Sequence, residues 1–114
     1  ISMSSEGLHA PRERLGKKTL AMHQAIASLI EELEAADWYR QRADDCDDAA
    51  LKKILLHNMR EEIEHAAMVL EWLRRNDADF ARELGEYLFT GKDIAGHEEQ
   101  VTGATKPKTK KKKK

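Results

Sequence analysis

The side chains best placed to do chemistry are two acidic clusters about thirty residues apart, Glu31-Glu32-Leu33-Glu34 and Glu61-Glu62-Ile63-Glu64-His65. In each, residues that ligate metals fall on an otherwise apolar helical stripe. At alternating three- and four-residue steps, the first stripe reads Met22, Ala25, Leu29, Glu32, Ala36, Tyr39 and Ala43. The second reads Leu51, Leu55, Asn58, Glu62, His65, Val69 and Trp72. Such steps return to one side of an α-helix, so Glu32 interrupts one face and Glu62 with His65 interrupt another. An ionised carboxylate is not left in apolar surroundings without a partner, because desolvation costs too much. A metal ion is the natural partner for two carboxylates and an imidazole.

Long helices must position these residues. The spacing predicts a first helix from about Arg14 to Asp44, with Leu20, Ile26, Leu29, Ile30 and Leu33 as apolar positions. Asp44, Asp45, Cys46, Asp47 and Asp48 break it, and Asp47 or Asp48 can cap the next helix. The second helix is expected from about Ala49 to Arg75, with Leu51, Leu55, Leu56, Met59, Ile63, Ala66, Leu70 and Leu73 as its core. Arg74 and Arg75 suit the negative end of its dipole. A short third helix, about Ala78 to Leu88, carries Phe80, Leu84, Tyr87 and Leu88 on one side, and Gly91 ends it. The expected organisation is an N-terminal arm over 1–11, a helical body over 12–91 and a disordered Lys-rich tail over 92–114.

Composition narrows the function classes. Charged residues make up 36% of the chain and hydrophobic ones 40%, with few aromatics, which suits solvated helices with apolar stripes. Sustained period-two alternation and hairpin turn signals are absent from the sequence, so strands are not expected. The formal net charge of -1 hides an asymmetry. Lys106, Lys108 and Lys110 to Lys114 supply seven of the 20 basic residues, leaving residues 1–105 with 13 basic and 21 acidic side chains, a net of -8. An acidic body argues against nucleic acid as the partner and favours cations. The sequence holds no apolar run long enough for a membrane, and one cysteine, Cys46, cannot make an internal disulfide. These features place the protein in the cytoplasm.

Two helices can bury only their mutual seam, yet both stripes are wider than one seam needs. Leu29, Ala36 and Tyr39 lie on a different side of the first helix from Ile26, Ile30 and Leu33. A second copy of the chain is the simplest cover, and two hairpins make a four-helix bundle. Carboxylate-bridged two-metal sites in such bundles take a Glu from each of two helices and a Glu-x-x-His from each of the others. One copy supplies half of that set, in Glu32 and Glu62-Ile63-Glu64-His65. Four carboxylates from two copies balance two divalent ions. Oxygen and imidazole ligands suit iron or manganese, and zinc, copper or calcium can substitute.

Glu31 to Tyr39 and His57 to Met68, with Leu70-Glu71-Trp72-Leu73-Arg74-Arg75 and Tyr87-Leu88-Phe89-Thr90, resemble the encapsulated ferritins over about residues 8–95. The resemblance implies an all-α fold, a long antiparallel two-helix hairpin plus a short C-terminal helix, dimerising into a ferritin-like four-helix bundle. It further implies a di-iron ferroxidase centre across the dimer interface, a decameric ring, and residence in an encapsulin nanocompartment where oxidised iron is mineralised. Glu32, Glu62 and His65 match the family's iron ligands. Tyr39 matches a residue beside the centre, and Glu31 with Glu34 match an outer site through which metal enters. The family generally ends in a Leu/Gly-rich docking peptide, and the Lys-rich C-terminus here departs from it.

Other residues read more plainly. Glu61 and Glu64 are expected to be solvated or paired with Arg60 and its neighbours, and His23, His57 and His97 to be structural or exposed. Trp38 and Trp72 are read as packing residues and Cys46 as inert. The competing functions are a non-catalytic helical assembly module, a rubrerythrin-like di-iron peroxidase, which lacks the Cys-x-x-Cys of an electron relay, and polyanion compaction by the lysine tail.

Overall fold

The computed structural model describes residues 7–98. Regular structure begins with a 3-10 turn, Arg12–Arg14, closed by the Arg14 and Leu15 amides donating to the carbonyls of Pro11 and Arg12. Leu15 and Gly16 are extended, and helix α1 then runs Lys17–Asp44. The expected start at Arg14 is therefore three residues early. Gly16 is a poor helix former and supplies the break.

Helix α1 ends in the acidic turn. The Asp48 carboxylate accepts the Leu51 amide at 2.9 Å and caps helix α2, Ala49–Asn76. Of the two candidate caps, Asp48 is the one used. Each long helix has 28 residues, about 42 Å at 1.5 Å per residue. The short connection makes them an antiparallel hairpin whose mutual contact holds residues up to Asp77 together as one unit.

On α1, every member of the stripe from Met22 through Glu32 to Ala43 is buried or half-buried, with Ala36 and Ala43 innermost. On α2 the deepest line is Met59, Ala66 and Leu73, at strict seven-residue steps. The sequence stripe through Leu51, Glu62, His65 and Trp72 is one flank of that seam, and Leu51, His65 and Trp72 are exposed. Ile26, Ile30, Leu33, Ile54 and Ile63 are exposed as well, and of these Ile63 was expected in the core. The hairpin has a narrow buried seam and large apolar residues left in water.

Residues from Ala78 onward form a second unit. Helix α3 runs Ala78–Tyr87, with Phe80, Leu84 and Tyr87 half-buried. It stops before Gly91, because Phe89 takes the left-handed conformation (φ 62°) that usually falls to glycine at a helix C-terminus. Residues 94–98 are helical, contrary to the expected disorder from 92 onward. The Asp93 carboxylate accepts the Gly96 amide, and its carbonyl accepts the His97 amide, each at 2.8 Å. The His97 side chain is buried, with Nε2 3.2 Å from Glu86 Oε1 and its ring edge-on to Tyr87 at 5.1 Å. His97 therefore does have an acidic partner, which the sequence reading did not foresee. Most of the tail, residues 99–114, lies outside the described residues, as does the arm before Gly7.

Candidate metal centre

Helix periodicity delivers Glu32 to the hairpin seam, one turn before the buried Ala36. Across the seam, Glu62 sits between the buried Met59 and Ala66 of α2. His65 follows three residues later on the same side of that helix, its Nδ1 3.7 Å from Glu62 Oε1. Glu32 lies within electrostatic reach of both. The hairpin thus brings Glu32, Glu62 and His65 together from two helices. Among the described residues, no three His, Cys, Asp or Glu side chains converge closely enough in one copy to enclose an ion.

Electrostatics at this point favour a cation. Burial raises the Glu32 carboxyl above the ordinary 4.5, and the charges of Glu62 and Glu31 push it the same way, while His65 opposes them. Glu32 Oε1 is enclosed and has no hydrogen-bond donor among the described residues. Enclosed polar oxygens are almost always satisfied. A hard cation would satisfy this one, and the neighbouring carboxylate and imidazole complete an oxygen-and-nitrogen donor set of the kind iron and manganese take. The residues present fit a metal.

The remaining expected residues fall around this group. Tyr39, two turns along α1 from Glu32, is half-buried beneath the Arg42 guanidinium, 5.6 Å from its ring centre. Glu31 and Glu34 are exposed on either side of Glu32. Glu61 is not the solvated bystander the sequence suggested. Its two carboxylate oxygens lie 3.9 Å from His57 Nε2 and 3.9 Å from His65 Nε2. The signal was present in the spacing, since His57, Glu61 and His65 recur every four residues. An apolar groove of about 390 Å³ lies elsewhere along the hairpin, lined by Ala21, Ala25, Ser28, Met68 and Trp72, and excludes all three candidate ligands.

Residues 7–91 match the EncFtn-like family. An encapsulated ferritin-like protein of Rhodospirillum rubrum is 56% identical over 90 residues, which cover 79% of this chain and 64% of that protein. The chain thus spans less than two thirds of that relative's length. A ferritin-like protein of Thermotoga maritima is 46% identical over 97 residues, 85% of each chain. A crystal structure of a Nitrosomonas europaea protein superposes with a TM-score of 0.75 at 56% identity, over 78% of this chain and 98% of that one.

Proposed function

Because the chain belongs to the EncFtn-like family, we propose that it is a ferroxidase, oxidising Fe(II) to Fe(III) with dioxygen at a two-iron site shared between two copies. The observation that carries this reading is the enclosed Glu32 Oε1, without a donor among the described residues and within electrostatic reach of Glu62 and His65 on the other helix. One copy offers two carboxylates and one imidazole. Two copies related by a two-fold axis offer four carboxylates and two imidazoles, which balance the charge of two Fe(II) ions.

Iron is the substrate, and each Fe(II) gives up one electron to dioxygen. The protein's part is to hold two ions close together on rigid helices and to leave coordination positions open. Glu32 spends the unliganded state in surroundings that disfavour its charge, and an arriving dication offsets that charge. Glu62 and His65 present two donors from successive turns of one helix. Tyr39 orients the ligands from two turns along α1, and exposed Glu31 and Glu34 draw Fe(II) toward Glu32. The exposed Ile26, Ile30 and Leu33 are the surface on which the second copy sits. Association of such dimers into a ring, inside an encapsulin shell in the cytoplasm, extends the same proposal; the Rhodospirillum relative's name, encapsulated ferritin-like protein, supports the shell. No helix among the described residues is long and apolar enough to cross a membrane.

Stopped-flow Fe(II) oxidation tests the assignment. Glu32→Ala, Glu62→Ala and His65→Ala should each remove most of the activity, a loss of at least about tenfold. Wild-type rates in any of the three would refute the site. Elemental analysis that finds no bound transition metal in the wild type would favour the assembly-module alternative.

A further inference from the structure

We infer that Glu61 is a positioning residue that sets the tautomer of His65, an inference that rests on the iron-site reading above. The His65 ring lies between two carboxylates of its own helix. Its Nδ1 is 3.7 Å from Glu62 Oε1, and its Nε2 is 3.9 Å from Glu61 Oε1. A neutral imidazole carries one N–H and one lone pair, so the two carboxylates compete for a single proton. The two outcomes differ chemically.

With the proton on Nδ1, His65 donates to Glu62. That bond ties together the imidazole and the carboxylate on which iron binding depends. With the proton on Nε2, His65 donates to Glu61 instead. The Nδ1 lone pair and the Glu62 carboxylate then face the same point as free donors. Metal-ligating histidines commonly give their other ring N–H to a carboxylate in this way, which fixes both ring orientation and basicity. Small side-chain rotations bring 3.9 Å into hydrogen-bonding range, and such contacts often tighten only when the site is filled.

Glu61 is itself held. Its second oxygen faces His57 Nε2 at 3.9 Å, one turn earlier on α2. An imidazole therefore stands on each side of the carboxylate, at the i−4 and i+4 positions. Arg60, the partner the sequence suggested, is not what its oxygens face. Glu61 and His65 are both about half exposed, at 47% and 46% of the side chain, so the contact is weak as a stabilising interaction. Its consequence is which ring nitrogen carries the proton.

Nitrogen-15 NMR of the ring nitrogens in histidine-labelled, metal-free full chain at neutral pH reads the tautomer directly. Anaerobic titration with Fe(II) reads the affinity. The wild type should show protonated Nε2 at His65. Glu61→Ala should shift the population toward protonated Nδ1 and weaken Fe(II) binding about tenfold. Glu61→Gln should restore both, because its amide oxygen still accepts the Nε2 proton. An unchanged His65 spectrum in Glu61→Ala, or failure of the Gln variant to restore it, overturns the positioning role. Those results leave the iron site standing if the wild type binds and oxidises Fe(II). A wild type that does neither refutes the iron reading itself, whatever tautomer the spectrum shows.

Discussion

Replacing Glu32 by Gln keeps the shape of the side chain and removes its charge, and the structure fixes the expected sign. One carboxylate oxygen is enclosed without a donor, and Glu62 and Glu31 repel the charge that it carries. Leaving a buried polar group unmatched costs about 1–3 kcal/mol. Because Glu32 is only half-buried and His65 attracts it, the lower end applies, about 1 kcal/mol. Glu32→Gln should therefore make the metal-free protein more stable at neutral pH, with a Tm about 4–8 °C higher. The pH dependence follows from the raised pKa. Above the ordinary 4.5 the folded state holds this proton more tightly than the unfolded state, so stability falls as pH rises through the folded value. The advantage of the variant should shrink in mild acid, where wild-type Glu32 is protonated too. Saturating Fe(II), added anaerobically, should reverse the ranking. At a hundredfold excess over Kd it adds about 2.7 kcal/mol to the wild type and little to the variant. Thermal unfolding at two pH values, with and without Fe(II), checks every step. A variant less stable than the wild type without metal, or equally stabilised by Fe(II), refutes the reasoning.

Glu71 is held at a pKa of about 2, first by its hydrogen bonds from Arg74 and then by that from Arg75. Its stabilising contribution is present above 4.5 and is lost as pH falls toward about 2, and carboxyl NMR titration should find Arg74→Ala moving the midpoint back up. His97→Ala removes the side-chain contact that ties residues 94–98 to Glu86, and hydrogen exchange should speed up at those amides. Because the proposed ligands come from two copies, Fe(II) should lower the dimer dissociation constant by about tenfold or more in sedimentation; an unchanged monomer with metal bound would contradict the shared site.

Some of this was legible in the sequence. The α1 stripe was: Glu32 is the one acid among seven positions that proved buried or half-buried, and a 3.6-residue period detects such an interruption. On α2 the period detected a stripe but not which flank is the seam. Ile54, Leu55, Leu56, Met59, Ile63, Ala66, Met68, Val69, Leu70 and Trp72 cover more than half the helix circumference. A helix with that breadth of apolar surface gives no internal clue to which side meets its own chain. Helix ends failed for local reasons. Gly16 cut α1 short, and Phe89 took a backbone conformation that sequence rules reserve for glycine or asparagine. His97 was missed because polar composition after Lys92 outweighed the cap signal of Asp93.

The exposed apolar residues bear on the function. Ile26, Ile30 and Leu33 share α1 with Glu32, and Ile63 lies between Glu62 and His65 on α2. All four apolar side chains are exposed in one copy. At about 25 cal/mol per Å² of apolar surface removed from water, covering such residues drives association of many such faces. In the proposed dimer, the event that covers them would also bring a second set of carboxylates to the first. Burial of that face would further disfavour the charge on Glu32, so assembly without metal would work against itself. On the proposed reading, apolar cover and carboxylate charge oppose each other until a cation is bound, and assembly is thereby coupled to the supply of iron.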